Sequence, residues 1–174
     1  MNKTLRRSLE KARKERNKQC NMISCVCFIV LYKQFSYTLE QIMEYFSEAT
    51  SVITESARQH KSVFEVFEEE TGIELALQGD KSYHEYMFLS NDVRGRDLTD
   101  SEIIYMEYRS LKWTQALVLT ALCLTLNRHE WNEENITALL ASVDDIRSTI
   151  ENTEEAYEQY MLKETGFKPE GLWK

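Results

Sequence analysis

Apolar residues recur along this chain with a helical period over most of its length. Leu39, Ile42, Met43, Phe46, Ala49, Ile53 and Ala57 follow one face of a helix, the spacing of an element that lays an apolar stripe against a core. Thr38, with Gln41 three residues on, forms a capping box that opens this helix, which is expected to run to about Gln59. Before it, a helix over about Thr4–Gln34 begins polar and basic and turns apolar almost all round over Met22–Tyr32, with Phe35-Ser36-Tyr37 as the connection. After it, Ser62–Thr71 reads as a short helix that buries Val63, Val66 and Phe67, turns Glu65, Glu68 and Glu69 outward and stops at Gly72, a helix-ending position for glycine.

The period breaks over 73–98, where Gly79-Asp80 and Arg94-Gly95-Arg96-Asp97 are turn signals around the aromatic segment Tyr83–Leu89. Then the plan recurs. Thr99 with Glu102 is a second capping box, opening one long helix to about His129 that contains the apolar run Ala116–Leu126. Asn132 caps the next helix, whose face carries Ile136, Leu139, Leu140, Val143, Ile146 and Ile150. Thr153 caps a last helix, with Tyr157, Tyr160 and Met161 leading to Gly166.

The recurrence extends to individual residues. At an offset of 96, Cys27 meets Cys123, Val30 meets Leu126 and Phe35 meets Trp131. At an offset of 94, Ile42 meets Ile136, Phe46 meets Leu140, Ala49 meets Val143, Val52 meets Ile146, and Glu70-Thr71-Gly72 meets Glu164-Thr165-Gly166. The expected fold is therefore all-α, a helical bundle from an internal duplication of a three-helix unit. The first unit occupies 1–75 with a basic N-terminal arm, a linker occupies 76–98, and the second unit occupies 99–174. Each unit is too small to bury its own apolar helix well, so the two should pack as one domain, with 22–32 against 116–126 at the centre.

Composition narrows the classes of function. Of 174 residues 43% are hydrophobic, so a real core is expected, while five Gly and one Pro are too few for the turns of a β protein or a dinucleotide-binding α/β domain. The cysteines at 20, 25, 27 and 123 match neither a zinc pattern nor a disulfide framework, and are read as buried reduced thiols in a cytosolic setting. Neither apolar run approaches the roughly 20 residues that span a bilayer. The basic start before Met22–Tyr32 faintly resembles a secretion signal, but Lys33-Gln34-Phe35 follows where small residues would be needed.

Charge is divided unevenly. Residues 1–19 hold eight Lys/Arg against Glu10 and Glu15, a local +6, so the remaining 155 residues carry −14 of the total −8 (−8 − 6). The arm, with Arg6, Arg7, Lys11, Arg13 and Lys14 among its cations, has the composition for nucleic-acid phosphates. Its charges are spread round more than one face, and no base-stacking aromatic lies among them. The acidic surface is the second candidate: Glu65, Glu68 and Glu69 in the first unit, and Asp144, Asp145, Glu151, Glu154, Glu155 and Glu158 in the second. Such rows suit a basic partner groove. Tyr83, Tyr86, Arg94 and Arg96 of the linker are residue types enriched among contact anchors. There is no phosphate loop, no H-E-x-x-H and no G-x-S-x-G, and His60, His84 and His129 are isolated. No metal, cofactor or catalysis is expected.

The opening Leu5-Arg6-Arg7-Ser8-Leu9-Glu10-Lys11-Ala12-Arg13-Lys14, followed by an apolar helix ending Leu31-Tyr32-Lys33-Gln34-Phe35-Ser36-Tyr37, resembles small helical proteins encoded by phages of Gram-positive bacteria. The likeness covers about residues 5–75 and, through the recurrence, 100–167 more weakly; where those proteins favour Gly after the Phe, this chain has Ser36. In kind, an acidic, duplicated protein without catalytic motifs is similar to the anti-CRISPR inhibitors. The resemblance implies a cytoplasmic protein of the bacterial host cell that inhibits a basic nucleic-acid-binding nuclease, a type II CRISPR effector foremost. The alternative is a phage nucleic-acid-associated regulatory protein that works through the basic arm.

Overall fold

The structure is a computed structural model that describes residues 3–59, 61–75, 99–169 and 172. Within these residues the chain is all-helical, with α1 over Lys3–Lys33, α2 over Leu39–Arg58, α3 over Val63–Thr71, α4 over Asp100–Leu111, α5 over Thr114–Arg128, α6 over Glu133–Thr149 and α7 over Glu154–Thr165. The expected caps form. Thr38 and Thr99 each make a full capping box, with Gln41 and Glu102 respectively, and Asn132 and Thr153 cap α6 and α7. Ser62 and Glu65 make a third box at the start of α3, so Glu65 is half-buried at a helix end and not turned out to water.

The expected single helix over 99–129 is two. At Trp113 the backbone widens to φ −99°, ψ −4° within the right-handed region, and its N–H bonds back to Ser110 O at 3.0 Å, the tighter three-residue closure that ends a helix. Neither Pro nor Gly causes the break. Trp113 is buried edge-on against Phe64 of α3, and Thr114 hydroxyl bonds Ser110 O at 3.1 Å, an arrangement that bends helices. Packing overrides helix propensity here.

α1 and α5 cross at the centre, where Met22–Leu31 and Val118–Leu126 are buried. The remaining helices cover them crosswise: α2 and α3 pack chiefly on α5, whereas α6 and α7 pack chiefly on α1. Each half thus supplies the cover for the other half's apolar helix, and one continuous core contains residues of both. The stripe of α2 that faces it is Ile42, Phe46, Ala49, Val52 and Ser56; Leu39 and Ala57, expected on that face, are exposed. On α6, Ile136, Leu139 and Val143 are buried, and Leu140, Ile146 and Ile150 pack partly against the core.

The two halves share fine geometry. Gly72 and Gly166 close α3 and α7 with φ of 70° and 77°. Thr71 hydroxyl donates to Phe67 O and Thr165 hydroxyl to Met161 O, both at 2.7 Å. Ser36 and Glu130, two residues before the caps of α2 and α6, hold positive φ of 58° and 66°. No helix among the described residues is long and apolar enough to cross a membrane.

Candidate nucleic-acid interface

The N-terminal half of α1 has two unlike faces. Leu9 and Ala12 are buried, and on the same side Arg16 donates to Glu107 of α4 at 2.6 Å, with Arg13 at 3.5 Å from the same carboxylate. Arg6 pairs with Glu10 one turn on, at 3.0 Å. These cations dock the arm or serve it locally. Opposite them lie Arg7, Lys11, Lys14 and Lys18, at positions i, i+4, i+7 and i+11 of one helix face. None of these four has a carboxylate partner among the described residues. The arm's charges are therefore sorted: those on one side are engaged by α4, and those on the other form a line roughly 16 Å long, at 1.5 Å of rise per residue.

Farther along, the same face of α1 is covered by α7. Asn21 Nδ2 donates to Glu154 Oε1 at 3.1 Å where α7 begins, and Phe28 and Tyr32 meet Phe167, just beyond its end, at 5.7 and 5.5 Å. The line of cations is thus the continuation of a docking face past the start of the helix that covers it. Lys11, Lys14 and Lys18 line a groove of about 630 Å³ there, with Glu15 on its wall and Asn21 and Glu154 at its end.

The acidic candidates are less available. Glu65 accepts from Ser62 N at 2.6 Å, Glu68 accepts from Leu75 N at 2.9 Å, and Glu69 takes the Lys61 ammonium at 2.8 Å. Glu154 holds Asn21, and Glu158 is half-buried. Asp144, Asp145, Glu151 and Glu155 remain exposed, with Asp144 at 3.5 Å from Arg147 and Glu155 accepting from Gln159 at 3.1 Å. Tyr83, Tyr86, Arg94 and Arg96, with His60 and His84, lie outside the described residues.

A cluster absent from the sequence reading joins the two inter-helix turns. Trp131 Nε1 donates to Tyr37 hydroxyl at 2.7 Å, Tyr37 meets Tyr45 edge-on, and His129 Nε2 lies 2.7 Å from Glu48. Burial first, then the neighbouring Tyr37 and the carboxylates of Glu44 and Glu48, push the Tyr45 phenol up to about 12. It holds its proton at neutral pH, and the cluster acts as a clasp between the halves. The expected equivalence of Phe35 with Trp131 is loosened here, because Tyr37 is the residue that directly precedes the Thr38 cap as Trp131 precedes Asn132.

All four cysteines are free and buried. Burial raises Cys20 to about 11 and Cys25 and Cys123 to about 12, and lifts Cys27 well above its ordinary value. Among the described residues no three His, Cys, Asp or Glu gather in a way that could hold a metal ion.

Comparison with known proteins gives no match: no family model, no curated protein and no solved structure is significantly similar to this chain.

Proposed function

We propose that this chain is a non-enzymatic nucleic-acid-associated protein of a phage or related mobile element, and that it engages the phosphate backbone through Arg7, Lys11, Lys14 and Lys18. One observation carries the reading: these four cations share one face of α1, Arg7, Lys11 and Lys14 exposed and Lys18 half-buried, with no carboxylate partner among the described residues, while Arg6, Arg13 and Arg16 are paired. Unpaired cations in a line are what counterion release needs. The mirrored caps, turns and Thr-Gly helix ends support an origin by duplication of a three-helix unit, in which the arm would be the first unit's own elaboration.

The test is fluorescence anisotropy with a labelled oligonucleotide across a salt series. Four phosphate contacts predict a log–log slope of about −3 for a single strand. Joint replacement Lys11→Gln, Lys14→Gln and Lys18→Gln should flatten that slope to about −0.7, the value for one remaining contact. No binding at low micromolar protein in low salt, or a slope indifferent to the triple replacement, would sink the reading.

The inhibitor reading, binding to a basic nuclease such as a type II CRISPR effector, keeps one specific support. Asp144, Asp145, Glu151 and Glu155 stay exposed along α6 and its junction with α7. It predicts capture of a nuclease from bacterial lysate that survives digestion of nucleic acid and is lost when these four are neutralised.

A further inference from the structure

The groove along the row from Arg7 to Lys18 has no facing wall among the described residues. All of those that line it belong to α1 itself except Glu154, which stands at its end. The opposite face of α1 is the one that α4 holds, where Glu107 takes Arg13 and Arg16. The cations therefore stand on the outward side of a two-helix ridge, open to a ligand much wider than one strand. That side is convex and its backbone is fixed, because the row lies within the continuous helix Lys3–Lys33.

What the row offers is charge. No aromatic side chain lies among the described residues that line the groove, so a single strand finds nothing on which to stack its bases, the contact from which single-strand binders draw much of their affinity. A single strand must also be ordered along the helix as it binds, a cost that a stiff duplex does not bear. Counterion release favours the duplex again. Over the roughly 16 Å of the row a duplex carries about nine charges, at about one per 1.7 Å, against about five for a single strand. Each duplex phosphate neutralised also contributes more to the salt slope, about 0.9 against about 0.7.

Two carboxylates bound this surface without reversing that order. Glu15 lies on α1 beside the lysines, accepts from Gln19 at 3.0 Å and leaves one negative charge at the row's flank. Glu154 accepts from Asn21 at 3.1 Å at the far end, in the path of either nucleic acid. The −14 of the chain beyond the arm is spread over the whole body. Its field is screened over about 10 Å at about 0.1 M salt, short against the roughly 46 Å length of α1 alone. At moderate salt the row's own cations dominate the field above them.

Resting on the phosphate-binding reading above, we propose that the partner of the α1 row is duplex nucleic acid, held by its backbone without regard to sequence and bound in preference to a single strand. Phosphate contacts fix position and carry no sequence information, and the row's four cations are placed for such contacts alone.

The experiment uses the full chain, a labelled 20-base-pair DNA duplex of mixed sequence and one of its strands alone, compared at about 0.1 M salt and then across a salt series. The wild-type protein is expected to bind the duplex at least about fivefold more tightly, with a salt slope of about −3.6 against about −2.8 for the strand. A second duplex of unrelated sequence should bind within about twofold of the first. Joint replacement Lys11→Gln, Lys14→Gln and Lys18→Gln should bring the duplex slope to about −0.9 and the preference below about twofold, with helicity unchanged. Equal or tighter binding of the single strand by the wild type overturns the inference and leaves the phosphate-binding reading standing. A duplex preference that survives the triple replacement places duplex binding elsewhere on the protein and overturns it too, as does a gap of about tenfold or more between the two duplexes. Binding of neither nucleic acid overturns the phosphate-binding reading itself and this inference with it.

Discussion

Arg128, in the last turn of α5, donates to Glu70, in the last turn of α3, at 2.7 Å, and the mirrored pair Lys33–Glu164 joins the ends of α1 and α7. Each cation ends the apolar helix of one half, and each carboxylate stands two residues before the closing glycine of the other. The two pairs therefore sit on opposite sides of the same exchange of cover. They add to the cross-packing of the helices and the Tyr37–Trp131 clasp that already join the halves.

The hydrogen bond from Arg128 holds the Glu70 carboxyl below its ordinary value of 4.5. A carboxylate depressed in the folded state contributes stability that is present above its unfolded value and lost as pH falls through its folded value. Glu70→Gln should thus destabilise the protein at pH 7 by less than about 1 kcal/mol, since both partners are partly solvated. The gap between wild type and variant should close on going from pH 5 to pH 3. Urea melts at the two ends of that range decide it; a gap that persists at pH 3 means that the contribution is not ionic.

Backbone conformation gives a second pair of outcomes, of opposite sign. Gly72 and Gly166 have left-handed φ and nothing within 4 Å of an added Cβ, so the cost of Gly72→Ala or Gly166→Ala is conformational alone. Each should destabilise by about 1 kcal/mol. Ser36 and Glu130 hold the same region without being glycine, and Ser36→Gly or Glu130→Gly should be neutral to stabilising by up to about 1 kcal/mol. Thermal melts of the four variants test this, and destabilisation by Glu130→Gly would mean that its side chain makes a contact that matters.

The local signals were legible because they are local. Thr38, Thr99, Asn132 and Thr153 cap helices by bonding three residues ahead, and Gly72 and Gly166 stop them through φ alone. What escaped was decided by partners distant in sequence. No residue type at Lys112-Trp113 announces a break; the socket against Phe64 makes it. Either apolar helix could accept either amphipathic face, so periodicity alone does not predict that α2 covers α5 and α6 covers α1. For the site, the i, i+4, i+7, i+11 row from Arg7 to Lys18 was already present in the sequence, hidden among other cations. It stands out only once Glu107, some 90 residues away in sequence, claims Arg13 and Arg16.

The thiols supply a third prediction. Burial raises Cys20, Cys25, Cys27 and Cys123 above their ordinary value of 9.0, so each resists forming the reactive thiolate. The native protein should react with a thiol reagent at pH 8 far more slowly than the protein unfolded in guanidinium, in which all four cysteines should titrate. The sign for stability is the reverse of the carboxylate case. Above pH 9 the unfolded chain releases thiol protons that the folded chain retains, so stability should fall as pH rises from 9 towards 11. Rapid modification of the native protein would place at least one thiol in contact with solvent.

The last prediction separates the two faces of α1, which carry cations of the same kind in different roles. Arg16 is 39% and Arg13 56% exposed as side chains, and their common partner Glu107 is only 14% exposed. Arg13→Gln with Arg16→Gln leaves that half-buried carboxylate without its cations, and should cost about 1 kcal/mol or somewhat more of stability. Because those arginines point at α4, the salt slope of oligonucleotide binding should barely move. Lys11→Gln, Lys14→Gln and Lys18→Gln should do the opposite, lowering the slope by about 2 while leaving the melting curve nearly unchanged. Measuring both quantities on both variants is decisive in a way that either alone is not. Loss of binding in the arginine variant at full helicity would mean that α1 leaves α4 to meet its ligand. An equal loss in both variants would mean that only the total charge of the arm counts, and the row from Arg7 to Lys18 would then have no special standing.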